Sequence, residues 1–94
     1  MIETILTVKH KLGLHARPAA LFVQRASRFA SQISVANVTR PSKTVDAKSI
    51  LGVLTIGVAQ NHTITLTADG PDAEAAINGL TELIENNFGE AESV

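Results

Sequence analysis

The sequence predicts an α+β fold: a four-stranded antiparallel sheet with three helices on one face. Three observations lead there. Apolar residues recur at helical spacing in two long segments, apolar and threonine-rich polar residues alternate in the first and last strand-like segments, and the segments follow the order β-α-β-β-α-β-α. One-sided helices need a sheet to cover, and alternating strands offer one dry face and one wet face.

The first strand spans 2–8, with Ile2, Leu6 and Val8 on its inward face. A helix follows over 16–29. Ala19, Phe22, Val23, Ala26 and Ala30 form its core stripe, with Phe29 at the edge. Arg17, Leu21, Gln24 and Arg28 fall on the opposite side, with Arg25 nearby, and a leucine among outward arginines hints at a partner surface. Strands over 32–38 and 43–47 are joined by Thr39-Arg40-Pro41-Ser42 as a hairpin loop. Ser49 to Leu54 reads as a short helix with Ser49 near its start. Residues 62–67 form the last strand, its threonines at 63, 65 and 67 facing solvent. Gly70-Pro71-Asp72 opens the final helix, with Pro71 at the first helical position and Asp72 and Glu74 at the positive end of its dipole. Ala73, Ala76, Ile77, Leu80 and Ile84 supply its core stripe. Residues 89–94 read as a flexible polar tail.

Bulk properties narrow the function classes. A chain of 94 residues fits one domain, residues 1–94, and 45% apolar residues suffice for one core. There is no cysteine, so neither disulfides nor thiolate metal sites support the fold. No apolar run approaches the roughly 18 residues of a membrane span, and no signal peptide is read. A cytoplasmic, monomeric protein without membrane insertion is the expectation. With a net charge of −1, 3% aromatics and neither tryptophan nor tyrosine, the chain lacks the basic or stacking surface that nucleic acid needs. His10 and His62 read as solvated strand-end residues, since a zinc site needs further donors at workable spacing. Arg25 and Arg28 read as a solvated helix face, or as an aid in docking acidic partners. Glu85, Glu90 and Glu92 serve solubility.

The chemistry centres on Gly13-Leu14-His15-Ala16-Arg17-Pro18-Ala19-Ala20. This order places an imidazole at the mouth of a helix, where backbone N–H groups and the dipole favour anions. A neutral imidazole is a competent nucleophile near pH 7. The amides of Ala16 and Arg17, with the Arg17 guanidinium, suit a phosphoryl group. No phosphate-binding glycine loop, Mg²⁺-binding acidic cluster or catalytic triad accompanies it. No cofactor or metal is expected. Spacing alone leaves a plainer reading open, a histidine that caps a helix or fills a loop.

The same residues, Gly13 to Ala19, resemble the active-site motif of HPr, the histidine-containing phosphocarrier family of the bacterial phosphoenolpyruvate:sugar phosphotransferase system. Asp46-Ala47-Lys48-Ser49-Ile50-Leu51-Gly52-Val53 resembles that family's regulatory-serine segment. Thr65 to Ala73 resembles its last strand and helix start. The likeness covers essentially the whole chain and preserves the order of elements.

The resemblance implies an open-faced β-sandwich. It further implies that His15 takes a phosphoryl group on Nδ1 from phospho-Enzyme I, stabilised by Arg17, and gives it to sugar-specific Enzyme II (IIA) components. Ile50, Leu51 and Leu54, completed by Ala20 and Leu21, would form the docking patch. Ser49 would be the target of a serine kinase/phosphorylase, and a transcriptional regulator is a further implied partner. Plain N-capping by Ser49 remains an equal account of that residue. A regulatory paralogue signalling carbon or nitrogen status is the alternative function, and a small ligand-binding domain a weaker third. Three departures stand out. The loop at Arg40-Pro41-Ser42 is longer than the family's compact turn, and by its distance from the inferred site should be tolerated. Leu12 stands where a small polar residue often touches the phosphate. Asn61 replaces a turn glycine, and asparagine tolerates the left-handed backbone.

Overall fold

The computed structural model describes residues 1–89. The elements are β1 (Ile2–Val8), α1 (Ala16–Ala26), β2 (Gln32–Asn37), β3 (Val45–Asp46), α2 (Ile50–Thr55), β4 (His62–Asp69), α3 (Ala73–Glu85) and a closing 3₁₀ turn, Asn87–Gly89. The strands form one sheet in the order β1-β4-β2-β3, with every pairing antiparallel. The α+β layering predicted from the sequence is the one observed.

Register explains the two faces. Leu6 lies opposite Ile64, Val35 opposite Leu66 and Ile33 opposite Ala68, all directed into the core. On the other face Ile5 and Ala36 flank Thr65, and Thr7 lies opposite Thr63 with their hydroxyls 3.4 Å apart. The threonines satisfy a wet sheet face while keeping β-branched geometry. Helix α3 packs on β1, β2 and β4, and α1 packs on both α2 and α3.

Phe22, Ile33, Ile64, Leu66 and Leu80 are fully buried at this seam. Each such side chain contributes about 1.5–3 kcal/mol by leaving water. The ion pair between the N-terminal amine and Asp69, at 3.8 Å and exposed, contributes at most about 1 kcal/mol. Burial of the helix–sheet seam therefore dominates over surface charge.

Several boundaries differ from the sequence expectation, each for a visible reason. Helix α1 stops at Ala26 rather than residue 29. The Arg28 and Phe29 amides take tighter bonds to Arg25 and Ala26, and the Ala30 and Ser31 amides bond the Asp72 carboxylate at 2.8 Å each. Ala30 is thus exposed and lies outside the core stripe. Pro71 sits in the preceding turn, and Asp72 is the N-cap of α3 rather than a first-turn residue. Its side chain serves the end of α1 instead of its own helix. Strand β3 shrinks to two residues, while β4 extends to Asp69. Gly89 belongs to the 3₁₀ turn, so only 90–94 of the expected tail, with Glu90 and Glu92, lie outside the described residues. Asn61 has φ 68°, the left-handed geometry its identity suggested.

Candidate functional site

His15 is the N-cap of α1, in extended conformation (φ −118°, ψ 158°), and its carbonyl accepts the Ala19 N–H at 3.2 Å. The imidazole is exposed and makes no capping hydrogen bond to the helix. A short acidic or hydroxyl N-cap would turn back onto the first-turn amides. First-turn N–H groups have no partner within their helix, and Pro18, buried at the third helical position, has none to offer. Ala16 and Arg17 are the residues ahead of Pro18 in this turn that carry an N–H. Arg17 is exposed on the same turn, adding positive charge where the dipole already favours anions.

The backbone at this mouth is bent sharply. Ala16 has φ 20°, a value that side-chain-bearing residues rarely adopt. Non-glycine residues in such regions cost of order 1–3 kcal/mol and cluster at functional sites. Just upstream, Gly13 has φ 63°, and a Cβ there would lie 2.2 Å from the Val58 carbonyl oxygen. Only glycine allows that approach. The neighbouring Leu14 N–H bonds the same carbonyl at 2.9 Å, and the Leu14 side chain is buried. The loop before His15 is thus anchored to the segment after α2 by main chain rather than by side-chain charge.

Ser49 caps α2, its Oγ accepting the Gly52 N–H at 3.1 Å. On this helix Leu51 is 74% exposed, with Ile50 and Leu54 near 40% (39% and 40%). Ala20 and Leu21 of α1 are half-buried, and Leu21 leans against the core. Because α1 packs against α2, the five apolar residues singled out from the sequence sit on two adjacent helices. Leu12 is also exposed, at 61%.

Other sequence expectations change. His10 is buried rather than solvated, its Nδ1 accepting the Leu12 N–H at 3.0 Å and its ring meeting Phe88 edge-on, with centroids 5.7 Å apart. His62 is half-buried, its Nδ1 lying 3.0 Å from the Asn37 amide and 3.2 Å from the Ala59 N–H. Arg25 donates to the Gly79 carbonyl at 3.1 Å, so it joins α1 to α3 instead of facing solvent. Arg28 is exposed as expected. The burial of His10 left no trace in periodicity. The one available signal was a turn-forming glycine three residues later.

A family model described as the PTS HPr component phosphorylation site matches residues 2–86. The phosphocarrier protein HPr of Cupriavidus necator is 44% identical over 92 residues, spanning 98% of this chain and 100% of that protein. An HPr-like protein Crh from Halalkalibacterium halodurans is 45% identical over 85 residues, spanning 90% of this chain and 98% of that one. The crystal structure of HPr-C-His from Thermoanaerobacter tengcongensis superposes with a TM-score of 0.92 at 51% identity, covering 98% of this chain and 100% of that one. Sequence identity of this order, sustained over the full fold, shows descent as well as shape, and the chain belongs to the HPr family of phosphotransferase-system phosphocarriers.

Proposed function

We propose that His15 is the phosphoryl-carrying residue, loaded by phospho-Enzyme I and unloaded onto sugar-specific Enzyme II components. The observation that carries this reading is the exposed, uncapped imidazole at the N-terminus of α1, beside Arg17, in a chain of this family. The lone pair of ring Nδ1 attacks phosphorus, a nitrogen–phosphorus bond forms on His15, and the donor's bond to phosphorus breaks with its electron pair returning to the donor. Transfer onward repeats the exchange in reverse. No proton need move in the exchange between nitrogen nucleophiles, so the site does not require a general base. The Ala16 and Arg17 amides and the Arg17 guanidinium neutralise the phosphoryl oxygens.

Ile50, Leu51 and Leu54, with Ala20 and Leu21, are the proposed docking patch, and exposed apolar groups of this kind mark partner surfaces. Ser49 stands at its edge. A phosphate there would add about −1.5 to −2 charge to the docking surface, weakening contact with acidic partners. A cytoplasmic location fits this exchange between proteins. No helix among the described residues is long and apolar enough to cross a membrane.

Incubation with Enzyme I and labelled phosphoenolpyruvate tests the reading. One phosphate, labile in acid and stable in alkali, is expected on the unaltered chain and none on His15→Ala. Uptake of the same acid-labile phosphate by His15→Ala would refute the assignment. A regulatory role draws support from the likeness to a solved structure described as Crh, the Bacillus subtilis catabolite repression HPr, at 36% identity and a TM-score of 0.61. Reconstituted sugar phosphorylation separates the two: support of sugar phosphorylation favours transport, and its failure with His15 phosphorylated favours regulation.

A further inference from the structure

The turn that delivers His15 is organised by another histidine. His10 follows β1, and its carbonyl accepts the Gly13 N–H at 2.8 Å, closing a four-residue turn. Inside that turn the His10 ring bends back, and Nδ1 accepts the Leu12 N–H at 3.0 Å. Acceptance at Nδ1 requires that nitrogen to be unprotonated. The ring is 6% exposed and held edge-on by Phe88. Phe88 itself lies in a run of left-handed residues, Asn87 at φ 53°, Phe88 at 59° and Gly89 at 75°. A buried aromatic residue adopts that backbone only where packing compensates its cost. Here the compensation includes the seat it forms for His10.

We propose that His10 is a positioning residue for His15, fixing the backbone of residues 10–13 so that the His15 ring meets its phosphoryl donor in reacting geometry. This rests on the reading of His15 as the phosphoryl acceptor. The pattern copies an Asx turn, in which a short polar side chain accepts the N–H two residues on. From Leu12 the constraint passes through Gly13, jammed against Val58, to Leu14, bonded to the Val58 carbonyl, and then to the N-cap. His10 touches no reacting atom. Its contribution is orientation, which reaction rates register strongly.

Two substitutions separate this role from simple packing. His10→Phe keeps an aromatic ring against Phe88 but removes the acceptor. His10→Asn removes the ring but restores an acceptor in reach of the Leu12 N–H. With Enzyme I and phosphoenolpyruvate, His10→Phe is expected to lower the maximal rate of phosphoryl acceptance about tenfold, a hydrogen bond's worth of positioning, with KM within about twofold. The Leu12 amide should exchange with solvent about tenfold faster. His10→Asn should hold both quantities within about threefold of the unaltered chain, even though loss of the ring lowers its thermal midpoint. A merely structural histidine gives the opposite order, with the Asn variant the worse carrier.

That opposite order, or unchanged rate and exchange in His10→Phe, overturns the proposal. If the unaltered chain takes no phosphate, the His15 reading has failed instead. Leu12 exchange and the His15 ring resonances then decide the positioning claim alone, and it falls if His10→Phe moves neither.

Discussion

The two ends of α1 are built on opposite terms. At its C-terminal end side chains from three parts of the chain add bonds to those of the main chain. The Ser27 hydroxyl bonds the Val23 carbonyl at 2.7 Å, Lys48 Nζ bonds the Phe29 carbonyl at 2.7 Å, and the Asp72 carboxylate takes the Ala30 and Ser31 amides and the Ser31 hydroxyl. At the N-terminal end the cap residue makes no side-chain hydrogen bond to the helix, and the backbone is bent through an unfavourable φ at Ala16. One end spends its hydrogen-bonding capacity on anchoring the helix. The other has no capping bond from its N-cap side chain.

The contrast predicts which substitutions damage stability and which damage function. Gly13→Ala should do both, because the N-terminal end is held by main chain. A Cβ close to the Val58 oxygen, with φ at 63°, should cost at least about 2–3 kcal/mol in chemical denaturation and also displace His15. A variant as stable as the parent would show that the loop is not anchored there. Arg17→Ala should lower phosphoryl acceptance about a hundredfold, the scale of losing one strong donor to an oxyanion. Its stability should stay within about 0.5 kcal/mol. Comparable losses in both would place Arg17 among the anchoring residues.

Asp72→Asn tests the tied end. The Ser31 hydroxyl first, and then the Ala30 and Ser31 amides, hold the Asp72 pKa below its ordinary value. A carboxylate depressed in the folded state stabilises above its unfolded pKa and loses that stabilisation as pH falls through the folded pKa. The thermal midpoint of Asp72→Asn should therefore fall below the parent's at neutral pH, with the gap closing below about pH 4. A gap of constant size down to pH 2.5 would count against the carboxylate's role. Phosphoryl acceptance at neutral pH should be unchanged in the folded variant. The smallest effect is expected from Ser49→Ala, about 1 kcal/mol from loss of the α2 cap, read as a shift in denaturation midpoint. Phosphate uptake at His15 should move less than twofold.

Features carried by local pattern were legible in the sequence. Strands β1 and β4 followed from alternation, α1 and α3 from helical spacing, the Ser49 cap from residue type, and the candidate site from the order Gly13-Leu14-His15-Ala16-Arg17. What escaped were bonds between residues far apart in the chain. Asp72 reads locally as a helix-start residue, yet its carboxylate is committed to amides 41 and 42 positions away. Nothing near Ser27 announces that α1 must end there. Phe88 follows the last predicted core residue with no assigned role until the fold buries it, and His10 looks solvated until Phe88 covers it. Each miss is a case where tertiary packing overrode a local preference.

The strand order carries a consequence for assembly of the chain. Strand β4 lies between β1 and β2, so the first strand has no neighbour in the sheet until residues 62–69 exist. Contacts between Ile2 and Ala68 close a loop of most of the described chain, and such closures slow folding relative to local pairing. A nascent chain halted before β4 would hold helices and a short β2–β3 ribbon with no central strand to lie on. The loop before His15 has its anchor at Val58, ahead of β4, so that contact can form before the sheet beneath it is complete, and only the last third of the chain finishes its support.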